Sequence, residues 1–80
     1  MPHIIVKCYP GRTDETKKAL AEQFSKDICE IFKVAEEHVS VAIQEIPRDE
    51  WYETVQKPEI EPNADILYKK PGYMENREAP

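Results

Sequence analysis

A strand pattern, a long amphipathic helix and a second strand pattern follow one another along the first half of the chain, and this order most constrains the fold. Residues 3–9 alternate apolar side chains between two faces, as a half-buried strand does. Residues 14–33 repeat apolar side chains at spacings of three and four, which predicts an amphipathic helix. Residues 39–46 alternate again. Because a helix connects the two strands, the order predicts a βαβ unit with parallel strands.

The second half of the chain has weaker patterns. Short helical turns are expected at residues 48–55 and 64–70, with Pro58 and Pro62 framing a connection between them. The predicted architecture is therefore α/β: one βαβ unit with a short C-terminal helical segment. Residues 1–80 are expected to form a single domain.

One βαβ unit cannot cover its own sheet. One sheet face and both strand edges remain bare, and a chain of 80 residues builds a core worth only about 3–5 kcal/mol. Neither zinc nor a disulfide is expected to compensate, because Cys8 and Cys29 lack ligand spacing and are read as reduced thiols. We therefore predict that two chains pair into a four-stranded sheet, as a homodimer.

Charge and hydropathy exclude several partners. The chain carries 11 basic and 16 acidic residues, a net charge of −5, which argues against nucleic acid and against anionic membrane surfaces as partners. No apolar run approaches the roughly 18 residues of a membrane span, and the N-terminus lacks the pattern of a secretory signal. The expected compartment is the cytoplasm.

Pro2 is the residue with the clearest chemical potential. No G-x-S-x-G, Walker, G-x-G-x-x-G or H-E-x-x-H motif occurs in the sequence. Removal of Met1 would leave Pro2 as a free secondary amine, and the ordinary pKa of an α-amino group is about 7.7–8.0. An apolar pocket or a nearby cation would lower that pKa and give a base that works near neutral pH. The competing interpretation is an ordinary N-terminal proline.

Several spaced features together resemble a known family. Pro2 opens a strand, the turn after it reads Pro10-Gly11-Arg12-Thr13-Asp14-Glu15, and Trp51 follows the second strand. Most of residues 2–52 thereby resembles the 4-oxalocrotonate tautomerase family. The run Lys69-Lys70-Pro71-Gly72-Tyr73 is similar to its longer, dimeric subgroup, which acts on phenylenolpyruvate-like enols. The resemblance implies cofactor-free keto–enol isomerisation of a 2-oxo acid, with Pro2 as general base and acid.

Further residues are expected near the substrate. Arg12 could anchor a carboxylate through two parallel hydrogen bonds or be a solvated loop cation, and Trp51 could be a pocket wall or ordinary packing. Ser40 stands where hexameric members carry an arginine that polarises the 2-oxo group and binds the far carboxylate. A hydroxyl in its place favours a monoacid with an apolar or aromatic body. His3 lies beside the base, and a strand histidine facing a partner is the preferred interpretation.

Two alternatives to a tautomerase remain at this point. A hydrolytic dehalogenase on the same fold would use protonated Pro2 as an acid, but that chemistry needs a carboxylate that activates water and more arginines. The other alternative is a non-catalytic interaction subunit that keeps the fold. The mass of the mature protein separates catalysis from this last alternative, because retained Met1 turns the Pro2 nitrogen into an amide without a basic lone pair.

Overall fold

The structure, a computed structural model, describes residues 1–74 and divides the chain into two compact units, Met1–Arg48 and Asp49–Pro80. The last six residues of the predicted 1–80 domain lie outside the described part, and a single domain over this range stays a prediction. The first unit contains three main elements, which are strand β1 (His3–Cys8), helix α1 (Asp14–Phe32) and strand β2 (Ser40–Glu45). A short 3₁₀ helix, Glu36–His38, joins α1 to β2.

The two strands form a parallel two-stranded sheet, which confirms the predicted βαβ unit. The register runs from His3 opposite Ser40 to Cys8 opposite Glu45. The even-numbered residues of β1 therefore share a sheet face with the odd-numbered residues of β2, such as Val41. This face lies toward α1. The predicted alternation of apolar side chains is confirmed.

Local sequence fixes both ends of α1. Gly11 precedes the helix with φ +126°, a left-handed conformation that a side chain would strain. Thr13 is the N-cap, and its hydroxyl accepts a hydrogen bond from the Thr16 N–H at 3.2 Å. Asp14 and Glu15 place negative charge in the first turn, where the helix dipole favours it. Lys33 ends the helix in the left-handed conformation.

The first unit has no core of its own. Phe24 and Ile28 of α1 are only half-buried, and Ile31 and Phe32 remain 72% and 62% exposed. None of the residues 1–48 is buried in the single chain. The βαβ unit therefore leaves much of its apolar surface in contact with solvent.

The second unit is helical over a longer range than the sequence predicted. Helical segments follow one another at Arg48–Glu50 (3₁₀), which begins at the last residue of the first unit, Tyr52–Ile60 (π) and Glu61–Ile66 (3₁₀). The prediction that Pro58 frames a connection was wrong, because Pro58 lies inside the π-helix. In an α-helix its ring would collide with the carbonyl of Thr54, and the wider π turn avoids that collision. Among the described residues of this unit, Val55 and Met74 are the buried apolar side chains.

Candidate active site

Pro2 lies at the N-terminal end of the sheet, directly before β1. Its carbonyl accepts a hydrogen bond from the backbone N–H of Ser40 at 3.2 Å, and its side chain is half-buried. Met1 is 94% exposed. The ladder thus holds Pro2 through its carbonyl, while the bond that joins Met1 to the Pro2 nitrogen lies at the surface.

Ser40 and His3 form a side-chain pair beside Pro2. They are opposite each other in the strand register, and neighbouring residues of parallel strands point to the same side of a sheet. The Nδ1 atom of His3 lies 2.6 Å from the hydroxyl oxygen of Ser40, and both residues are exposed. Either group is chemically able to donate, depending on which ring nitrogen carries the proton.

Arg12 lies at the other end of β1, where the chain turns into α1. Its Nη1 donates a hydrogen bond to the Tyr9 carbonyl at 3.1 Å. The guanidinium of Arg48 stacks over the Tyr9 ring, with its carbon 4.2 Å from the ring centroid. Tyr9 therefore holds two arginines at this end, one by its backbone and one by its ring.

Glu45 also lies at this end of the sheet. The hydrogen bond from Lys17, whose Nζ lies 3.1 Å from Oε2 of Glu45, lowers the pKa of the Glu45 carboxyl below its ordinary value. The Gly11 N–H and the charge of Arg12 act in the same direction, whereas desolvation opposes them. The ionised Glu45 therefore ties the turn before α1 to the end of β2.

One chain does not bring Pro2 and Arg12 together. They flank β1 on opposite sides, and its six residues span about 20 Å at 3.3 Å per residue. A small substrate held at Pro2 cannot reach Arg12 of the same chain. The signal was already present in the sequence, since a strand of this length separates the two residues.

Trp51 belongs to the second unit. It is half-buried and precedes the π-helix, with helical backbone angles of φ −57° and ψ −48°. Its assignment as a pocket wall stays a prediction.

An open groove of about 820 Å³ lies between α1 and the residues Val39 and Val41. Its lining includes Ser25 and Cys29 of the helix, but Pro2, Arg12 and Ser40 do not contribute to it. Within residues 1–74, no group of three or more His, Cys, Asp or Glu side chains is placed to hold a metal ion.

Comparison with known proteins decides the family. The family described as "Tautomerase enzyme" matches residues 2–57, which include both strands and α1. The chain belongs to the tautomerase family. The resemblance to 4-oxalocrotonate tautomerase and the prediction of an isomerase are thereby confirmed, and the non-catalytic alternative is disfavoured.

Named relatives extend the similarity of this tautomerase beyond residue 57. "Tautomerase PptA" of Pectobacterium carotovorum subsp. carotovorum is 42% identical over 74 residues, which cover 91% of this chain and 97% of that protein. Among solved structures, YwhB, a homologue of 4-oxalocrotonate tautomerase, is 38% identical with a TM-score of 0.58, covering 60% of this chain and 79% of its own. A heterohexameric 4-oxalocrotonate tautomerase from Chloroflexus aurantiacus is 31% identical with a TM-score of 0.61, covering 64% and 82%.

The structure adds one contact that the sequence interpretation did not anticipate. His3 forms a hydrogen bond with Ser40 of its own chain, and the expectation that it faces a partner stays a prediction. The strand alternation places each residue on a face, but it does not say which residue of the other strand lies opposite. Only the register reveals the pair. No helix among residues 1–74 is long and apolar enough to span a membrane.

Proposed function

We propose that this tautomerase isomerises enols of 2-oxo monoacids of the phenylenolpyruvate type, with the amine of Pro2 as the general base and acid. The position of Pro2 is the observation that carries the proposal. Pro2 is half-buried at the end of the sheet, and its carbonyl accepts a hydrogen bond from the Ser40 N–H. Its nitrogen is joined to the exposed Met1 by a peptide bond. Removal of Met1 leaves the amine at a fixed place.

The proposed reaction needs one nitrogen. The neutral Pro2 amine accepts the proton of the enol hydroxyl, and the electron pair of that O–H bond forms the C=O bond of the keto acid. The C=C electrons then take up a proton from the Pro2 ammonium at the adjacent carbon, which restores the neutral amine. An apolar aromatic wall, for which Trp51 is the proposed residue, would keep water out and the amine neutral.

The proposed substrate is a monoacid. Arg12 is the proposed anchor of its carboxylate, and Ser40 the proposed contact of its 2-oxygen. Because Pro2 and Arg12 lie about 20 Å apart in one chain, the Arg12 of a site has to come from a neighbouring chain. Ser40 supplies only a hydroxyl, which is a weaker partner for a second carboxylate than a guanidinium.

An ultraviolet assay of enol-to-keto conversion tests this proposal. With mass-verified, methionine-free protein, we expect phenylenolpyruvate to be converted with a kcat/KM at least about tenfold above that of a 2-oxo diacid enol. The second carboxylate of the diacid would lack a charged partner, and such a hydrogen bond contributes about 1.5–3 kcal/mol. A preference for the diacid would contradict the proposed substrate class, and no turnover of either enol would contradict the function.

We also propose a homodimer in which two βαβ units pair their sheets. Residues 1–48 contain no buried side chain, and Ile5, Ile31 and Phe32 are more than half exposed. Small domains without disulfides or metals commonly complete their cores by association. A second chain would cover apolar surface and bring an Arg12 to each Pro2.

Sedimentation tests the dimer. We expect a particle of about twice the chain mass of 9.3 kDa at micromolar concentration. Replacement of the exposed Phe32 by Glu should weaken association if this surface is covered, whereas Lys18→Glu, on the exposed side of α1, serves as the matched control. A stable monomer that is fully active would contradict the proposal.

The cytoplasm is the compartment that we propose. Cys8 and Cys29 are both free thiols, which fits a reducing environment. No cofactor enters the proposed reaction, because the proton transfer needs only the amine of Pro2.

A further inference from the structure

Ser40 makes two hydrogen bonds at the end of the sheet where Pro2 lies. Its backbone N–H donates to the Pro2 carbonyl at 3.2 Å, and its hydroxyl oxygen lies 2.6 Å from Nδ1 of His3. The first contact fixes the backbone of Ser40 relative to the proposed base. The second restricts the direction of a hydroxyl that would otherwise turn among three staggered positions. Two exposed polar side chains are thereby held in one arrangement.

We propose that His3 is a positioning residue, which orients the Ser40 hydroxyl so that it donates a hydrogen bond to the 2-oxygen of the substrate at Pro2. The inference rests on the function proposed above. When Nδ1 of His3 carries the ring proton, it donates to the Ser40 oxygen and leaves the serine proton free to donate onward. A hydroxyl that accepts one hydrogen bond is a stronger donor in the next.

The register places Ser40 at the end of the sheet that Pro2 precedes. Neighbouring strands lie about 4.8 Å apart, and Ser40 is opposite the residue that follows Pro2. In the proposed arrangement, a 2-oxo acid whose enol hydroxyl contacts the Pro2 nitrogen places its 2-oxygen beside the Ser40 side chain. Negative charge develops on that oxygen once Pro2 has taken the enol proton, and a fixed donor stabilises it most at that moment.

The competing interpretation of His3 is a strand histidine that faces a partner chain. Its ring is exposed, so it does not fill a core, and Ile5 and Lys7 follow it on the same face of β1. If the His3–Ser40 pair only stabilised the end of the sheet, the rate of turnover would not depend on the direction of the serine proton. The pair therefore predicts a change in turnover as well as in folding stability.

Four variants test the inference in methionine-free protein, assayed with phenylenolpyruvate. Ser40→Ala removes the donor, and we expect kcat to fall about tenfold or more with a smaller change in KM, because the bond strengthens only as charge develops. His3→Phe should lower kcat severalfold. The conservative variant Ser40→Thr keeps the hydroxyl, and it should recover most of the rate that Ser40→Ala loses. The conservative variant His3→Asn keeps the hydrogen bond, and it should recover most of the rate that His3→Phe loses.

The double variant His3→Phe/Ser40→Ala separates positioning from independent effects. If His3 acts through Ser40, the double variant is no slower than Ser40→Ala alone, whereas additive losses would overturn the inference. Thermal unfolding of each variant identifies losses of rate that come from misfolding, and Ser40→Thr and His3→Asn preserve the test where the other variants do not fold.

Protein that retains Met1 distinguishes this inference from the proposed function. If blocked protein is inactive while Ser40→Ala and His3→Phe keep full activity, the role of the pair is refuted and Pro2 remains the base. If blocked protein is active, the proposed function of Pro2 is refuted, and the inference that rests on it falls as well.

Discussion

Protein that keeps Met1, or whose N-terminus is acylated, is expected to isomerise enols about 10²–10⁴-fold more slowly than processed protein, the usual contribution of a positioned proton-transfer group. The reason is the chemistry of the nitrogen. As an amide it has no basic lone pair, whereas the free Pro2 amine accepts a proton when neutral. The ordinary α-amino pKa of about 7.7–8.0 lies close to working pH, so burial needs to shift it only modestly.

Mass spectrometry and the enol assay on the same samples measure this effect. Pro2→Ala is the matched control, because it keeps a free primary amine on a more flexible backbone and should retain part of the activity. For processed protein, kcat/KM should rise with pH along a limb below the ordinary α-amino pKa, since only the neutral amine accepts a proton. Equal rates for blocked and processed protein would mean that the base lies elsewhere.

Arg12→Ala is expected to lower kcat/KM by about 10- to 150-fold, mostly through KM. The reason is the loss of charge-assisted hydrogen bonds to the substrate carboxylate, which contribute about 1.5–3 kcal/mol. Arg12→Lys should lose less, because it keeps the charge but not the planar fork. Lys18→Ala, which removes an exposed positive charge from α1, is the matched control for net charge. Kinetics unchanged in Arg12→Ala would make Arg12 a solvated loop cation.

Mixed dimers reveal which chain supplies Arg12. One chain carries a blocked Pro2 with a native Arg12, and the other carries a free Pro2 with Arg12→Ala. Since β1 keeps the two residues about 20 Å apart in each chain, activity requires a site that combines Pro2 of one chain with Arg12 of the other. We expect mixing to give a kcat/KM above that of either parent. Failure to restore it, with dimer exchange verified, would contradict the shared site.

The sequence by itself determined the elements and the family of this protein. The spacing of apolar residues is a local property, so two strands and one helix were located to within about two residues, and parallel pairing followed from the helix between them. Thr13 as a cap and Gly11 in the turn likewise act within a few residues of the chain. Pro2, the turn at Arg12 and the second strand carried the resemblance that the family match confirms.

Only the tertiary structure decided which side chains meet. The pairing of His3 with Ser40 depends on the strand register, and register is set by packing of the whole unit rather than by either strand. The wide helical turn around Pro58 is another feature that only the structure shows, since propensity alone predicts a break there. The exposed apolar surface of the βαβ unit depends on the contacts of all three elements together, which no local pattern contains, and its covering by a second chain stays a proposal.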